Sequence, residues 1–190
     1  MRVLGIDPGS RYLGFGLVDF HGVKARYVAH GVVKTEGRGT LPMRLQVIFD
    51  ELKQVLNVFK PDAVAVEGVF THKNARSALI LGHARGVALL LAAQAGLTVY
   101  EYAPARVKRS VGAGGNDGKG AVARMVTLLL ELEEPLERSD AYDALAVALC
   151  HGHTVRSPLA ARPHGARKPP AVDFASRLKP SFVAPRRAAS

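Results

Sequence analysis

Cysteine is almost absent from this chain: 190 residues contain one, Cys150. A lone thiol excludes an internal disulfide framework and fits a reducing compartment. The opening residues, MRVLGIDPGS, lack the cationic start and long apolar run of a signal peptide. No apolar stretch reads as reaching the roughly 18 residues needed to cross a bilayer. These absences lead to the expectation of a soluble, cytoplasmic protein with no membrane partner. Acidic residues are scarce beside basic ones, 16 Asp/Glu against 26 Lys/Arg, for a net charge of +10. Such an excess suggests a polyanionic partner. Its distribution weakens the inference, because residues 151–190 hold eight Lys/Arg against one Asp and so carry +7 of the total. Charge alone does not establish DNA binding.

What the chain does have is 48% hydrophobic residues and a length suited to one domain with a real core. Composition shifts near residue 155. The last 36 residues hold six of the eleven prolines and no sustained apolar period, so residues 155–190 are expected to be a disordered Pro/Ala/Arg-rich tail behind a folded domain at 1–154. Within that domain, Val3 to Ile6, Leu13 to Phe20 and Ala25 to Val33 read as three closely spaced strands, hence antiparallel hairpins. Leu45, Ile48, Phe49, Leu52, Val55, Leu56 and Phe59 recur at helical spacing after Pro42, and Pro61 stops them. Ala63 to Val66 is a fourth strand, Ala75 to Ala95 a long helix ended by Gly96, and Thr98 to Tyr102 a fifth strand. Residues 104–111 read as a short helix, 112–118 as a glycine-rich loop, 119–130 as a helix, and Ser139 to Cys150 as a last helix capped by Ser139. Strands separated by helices pair in parallel. The expected fold is therefore α/β: a mixed five-stranded sheet flanked by helices, with antiparallel opening hairpins.

Four acids stand out against this frame. Asp7 and Glu67 each follow a hydrophobic strand, and the ends of adjacent strands in an open α/β sheet are where ligand sites gather. Asp140 and Asp143 lie three apart at the start of the last helix and share one of its faces. Converging carboxylates repel, and divalent cations remove the conflict. Hard oxygen donors suit Mg²⁺, with Mn²⁺ able to substitute. Two such ions, roughly 3.5–4 Å apart, activate a water and stabilise the departing oxygen in phosphodiester hydrolysis. Taken singly, Asp140 also fits a macrodipole role in a first helical turn, and Asp7 before Pro-Gly fits an ordinary turn.

GIDPGSRYLGFGLVD at 5–19, PDAVAVEGVF at 61–70, ARSALILGHARG at 75–86, EYAPARVKRSVGAGGNDGK at 101–119 and SDAYDALAVALCH at 139–151 together carry a family likeness. In this combination and order the chain resembles the RuvC family of Holliday-junction resolvases, which have a ribonuclease H-like fold. The resemblance implies catalytic and Mg²⁺-binding roles for Asp7, Glu67, Asp140 and Asp143. It implies a homodimer that nicks two strands of a four-way DNA junction symmetrically, in recombination and repair, with RuvA and RuvB as partners. Lys108 and Lys119 match basic residues that the family places near the scissile phosphate. Gly68 departs from the pattern, since the family often has Gln after this acid.

Several other residues carry two readings. Phe70 follows the Glu67 strand beside His72, Lys73 and Arg76; an aromatic on a basic loop either stacks on an unpaired junction base, with Lys73 and Arg76 contacting DNA, or faces the core. His151 and His153 read as surface residues at a helix end rather than metal ligands, His83 as structural, and Cys150 as a small buried hydrophobe. Small residues along 78–86 suit either a dimer contact or packing against the protein's own sheet. The tail is expected to add nonspecific electrostatic affinity for DNA. Competing classes are an actin-like ATPase, for which the chain is too short and shows one copy of the Asp-Gly element, a non-catalytic junction binder, and a ribonuclease H-like nuclease acting on other nucleic acids.

Overall fold

A computed structural model describes residues 1–9, 11–68, 75–114 and 120–156. Phe70, Lys73, Lys119 and the whole segment 157–190 lie outside the described residues, and for Arg76 only the backbone is described.

Among the described residues, ten elements run in the order β1 (Arg2–Asp7), β2 (Tyr12–His21), β3 (Lys24–Lys34), α1 (Leu41–Phe59), β4 (Ala63–Glu67), α2 (Ala75–Gln94), β5 (Thr98–Tyr102), α3 (Pro104–Ser110), α4 (Ala121–Leu129) and α5 (Ser139–Arg156). The strands form one sheet in the order β3-β2-β1-β4-β5. The opening β1–β2 and β2–β3 pairs are antiparallel, and β1–β4 and β4–β5 are parallel. The mixed five-stranded sheet with its antiparallel start is thus present, and its logic is local. Gly22 turns β2 into β3 with a φ of +56°, while the parallel strands are separated by helices long enough to cross over. Gly96 ends α2 as expected. It has a φ of +69°, its N–H reaches Ala93 O at 3.0 Å, and Leu97 N–H reaches Ala92 O at 2.9 Å, the paired bonds of a Schellman stop.

Alternation along the strands divides the core in two. Leu4, Ile6, Leu13, Leu17, Val64 and Val66 face α1 and α2. Val3, Val18, Phe20, Ala65 and Tyr102 face α3, α4 and α5. Helix α5 lies on this second face and is the most buried helix: Ala144 through Cys150 have no exposed surface. Cys150 is, as expected, a small buried hydrophobe.

Five expectations need correction. Pro42 lies inside the first turn of α1, where its missing N–H costs nothing, so the helix starts earlier than the apolar period shows. Helix α5 does not stop at Cys150 but continues to Arg156, because His151 and Gly152 still pack on the sheet. His151 is not a surface residue but 1% exposed, whereas His83 stands exposed on α2. Finally, Ser77–Gln94 is long and apolar enough to cross a membrane by length and composition, with a mean hydropathy of 1.3 over 18 residues. In the fold this helix instead turns Ala84, Ala88, Leu91 and Ala92 into the core.

Candidate active site

Asp7 and Glu67 are the last residues of two neighbouring parallel strands, one step beyond the Ile6–Val66 pair. Equal register places both side chains on the same face of the sheet, the face that α5 covers. What brings α5 to them is a set of glycines. Gly5 pairs with Gly16, and Asp7 pairs with Gly14, across the β1–β2 ladder. A methyl group built on Gly5 would sit 2.1 Å from Ala144 O and 2.7 Å from Ala148 N. One on Gly14 would sit 2.0 Å from Asp140 O, and one on Gly16 2.7 Å from the Leu145 side chain. The helix rests directly on bare backbone. Because Gly14 is the partner of Asp7, the start of α5 arrives beside Asp7, and the three-residue spacing turns Asp140 and Asp143 toward the same place.

The electrostatics show how close the four acids come. Burial, then the charge of Glu67 and a hydrogen bond with it, then the charges of Asp143 and Asp140, push the Asp7 carboxyl up to about 8. Burial likewise raises Glu67, so the pair holds one proton to a higher pH than an isolated carboxyl would. Asp143 is raised to about 6 by burial and by the charges of Glu67 and Asp140. The positive charge of Lys108, in the last turn of α3, pulls Glu67 and Asp143 back toward ionisation. Lys108 therefore lies within electrostatic reach of Glu67 and Asp143.

Two residues that the sequence did not single out join this cluster. Arg138 donates from Nε and from a terminal guanidinium nitrogen to Asp140 Oδ2, each at 3.0 Å. Its guanidinium lies 3.5 Å from the centre of the Tyr12 ring, a cation–π contact on the site's rim. Tyr12 in turn donates its hydroxyl to Glu36 at 2.6 Å. No local pattern announces this stack, since Tyr12, Glu36 and Arg138 come from three distant stretches. Gly68, the departure from the family pattern, continues the ladder by donating its N–H to Tyr102 O at 2.8 Å. It leaves the acids untouched.

Among the described residues, no group of three or more His, Cys, Asp or Glu side chains stands close enough together to hold a metal ion as it is. The donor set nevertheless fits a hard divalent cation. It is all carboxylate, it carries more negative charge than its setting tolerates, and burial and mutual repulsion make Asp7 hold a proton that a bound cation would displace. A measurable consequence follows. For Asp7, the folded pKa lies above the ordinary 3.8, so the group's contribution to stability is full below that value and is lost as pH rises through about 8. A divalent cation held by these carboxylates would relieve that loss by replacing the proton. Thermal unfolding without DNA is expected to show little stabilisation by Mg²⁺ at pH 5.5 and a clear rise in Tm at pH 8.5. A Tm that ignores Mg²⁺ at both values contradicts this reading.

A mixed sheet with acids at two strand ends, met by the acidic start of an overlying helix, defines a nuclease of the ribonuclease H-like class. The comparisons agree. Residues 3–151 match the family described as crossover junction endodeoxyribonuclease RuvC. A crossover junction endodeoxyribonuclease RuvC from Myxococcus xanthus is 56% identical over 188 residues, which is 97% of this chain and 98% of that one. Another from Halorhodospira halophila is 49% identical, covering 88% and 99%. The solved structure of T. thermophilus RuvC in complex with Holliday junction substrate superposes with a TM-score of 0.76 at 40% identity, covering 82% of this chain and 95% of that one. The yeast mitochondrial Holliday junction resolvase Ydc2, at 16% identity and a TM-score of 0.58, shares the fold.

The chain belongs to the RuvC family of crossover junction endodeoxyribonucleases. It is a metal-dependent DNA endonuclease of Holliday-junction resolution, at work in recombination and repair.

Proposed function

We propose that Asp7, Glu67, Asp140 and Asp143 together bind two Mg²⁺ ions and that this centre hydrolyses one phosphodiester in each of two opposed strands of a four-way junction. The observation that supports this most is the glycine-floored contact. It sets the start of α5, with Asp140 and Asp143, beside the strand ends that carry Asp7 and Glu67. The bound metals would supply Lewis-acid activation of water and charge neutralisation at the leaving oxygen. The chain's own residues hold the ions, orient the phosphate and exclude misplaced water. Mn²⁺ is expected to substitute, since it accepts the same oxygen donors. Lys108, and Lys119 beyond it, contact phosphate oxygens near the cut. Phe70 stacks on a base at the junction centre, with Lys73 and Arg76 gripping the adjoining backbone.

Two symmetric cuts call for two sites related by a two-fold axis, hence a homodimer. The exposed side of α2 is the surface we assign to it. Leu79 and Leu90 are 65% and 54% exposed there, and a methyl group on Gly82 or Gly86 would meet nothing within 4 Å. A second helix can approach such a face closely. RuvA and RuvB then deliver the junction in the cytoplasm. The nuclease domain runs past the expected 1–154 to the end of α5 at Arg156, and the basic tail that follows it adds salt-sensitive affinity.

Synthetic four-way junctions incubated with the protein and Mg²⁺ test the reading. Paired nicks at symmetric positions, sealable by ligase, are expected. Equal cleavage of linear duplex or of RNA–DNA hybrid, or junction binding without cutting under Mg²⁺ or Mn²⁺, contradicts it.

A further inference from the structure

The last turns of α5 carry two histidines that do not act on any of the acids, yet both are tied to the elements around Lys108. His151 is buried, with its ring centre 4.3 Å from that of Tyr100, and its Nδ1 shares a hydrogen bond of 2.8 Å with the Tyr102 hydroxyl. Tyr102 is the β5 register partner of Glu67. Two residues further on, His153 donates from Nδ1 to Ser110 O at 3.0 Å, the last residue of α3. Arg106 of α3 lies 5.3 Å from the centre of the Tyr102 ring and donates to Thr154 Oγ1 at 3.2 Å. Helix α3 has only seven residues. A helix that short has no stability of its own, so its placement depends on what holds it. Its end carbonyls need donors, and His153 supplies one.

We infer that His151 and His153 are positioning residues which clamp β5 and α3 against α5 and thereby set where Lys108 stands relative to Glu67 and Asp143. The inference rests on Lys108 contacting the phosphate that is cut. Burial holds His151 down at about 4, so its imidazole is neutral at physiological pH and the clamp works through hydrogen bonds and packing rather than charge. Misplacing a catalytic cation by about 1 Å is enough to cost up to 10²-fold in rate. A single exposed tie such as His153 moves it less.

A double-mutant cycle on the full-length protein, under single-turnover cleavage of a four-way junction at saturating Mg²⁺, tests this. His153→Ala is expected to slow the cleavage step by about tenfold while junction affinity stays within about twofold. His153→Gln, whose amide can donate to Ser110 O, recovers most of the rate. Tyr102→Phe, which removes only the hydroxyl, also slows cleavage. In a Lys108→Ala background, neither His153→Ala nor Tyr102→Phe slows cleavage by more than about a further twofold, because the residue they position is gone. Losses that simply multiply with that of Lys108→Ala, or a full rate with His153→Ala, overturn the inference while leaving Lys108 in its role. A Lys108→Ala protein that cleaves at full rate overturns the role of Lys108 and the clamp together.

Discussion

Replacing Asp7 with Asn is expected to abolish junction cleavage, by at least about 10³-fold, while making the metal-free protein harder to unfold. The first effect follows from the position of Asp7, between Glu67 on one side and the start of α5 on the other. Loss of one ligand of the proposed metal centre removes several kcal/mol of transition-state stabilisation, and each 1.36 kcal/mol is about tenfold in rate. Junction binding should persist, because affinity comes mostly from phosphate contacts to basic residues. The second effect follows from electrostatics. In the metal-free fold Asp7 is buried beside three other acids and titrates near 8. Above that pH its charge is held against burial and repulsion, and Asn carries no charge to hold. The gain is on the order of 2 kcal/mol at pH 8.5, or about 4–8 °C in Tm, and vanishes toward pH 4. Differential scanning calorimetry of the two proteins at both pH values reads it directly. An Asn variant that is less stable than the parent at pH 8.5 would show that Asp7 is a structural hydrogen-bonding group.

Replacing Gly5 with Ala should damage both fold and catalysis although no functional side chain changes. The new methyl group meets the backbone of α5 at Ala144 O and Ala148 N, and backbone cannot swing aside as a side chain tip can. The helix has to lift. Overpacking of this kind costs about 1–3 kcal/mol or more, which for a domain of this size lowers Tm by roughly 5–10 °C. Ala144 directly follows Asp143, so the same lift draws Asp140 and Asp143 away from Asp7. Cleavage at saturating Mg²⁺ is expected to fall by about 10²-fold even at temperatures where the variant is fully folded. A variant with lowered Tm and an undisturbed cleavage rate would mean that the acids do not depend on how α5 seats.

The same glycines mark the boundary of what is legible in the sequence. Strand alternation, the helical period of α1 and the stop at Gly96 are local signals, and the sheet and its flanking helices follow from them. Asp7, Glu67, Asp140 and Asp143 stand out because each sits at the end or start of an element. Their convergence does not follow from position alone. It depends on α5 lying on Gly5, Gly14 and Gly16, a contact between stretches more than a hundred residues apart. The glycines alternating through β2, with Gly5 opposite Gly16, are the available hint: one face of two paired strands is kept bare. The Arg138–Tyr12–Glu36 stack leaves no such hint, since each residue is ordinary in its own stretch. His151 misleads for a related reason. Two histidines at the end of a helix look solvated until the helix is known to run on over Phe20, where Gly152 lets the ring close in. The membrane-length apolarity of α2 reflects a helix with one side in the core and another left apolar toward solvent, the side proposed to meet a second copy of the chain.

Crystals of the protein soaked in Mn²⁺ and measured at the manganese absorption edge would reveal whether the four acids hold metal. Anomalous peaks are expected between the carboxylates of Asp7, Glu67, Asp140 and Asp143, as a pair roughly 3.5–4 Å apart once DNA is bound. No peak among those four side chains, in protein that still cuts the junction with Mn²⁺, would contradict a metal centre built from them.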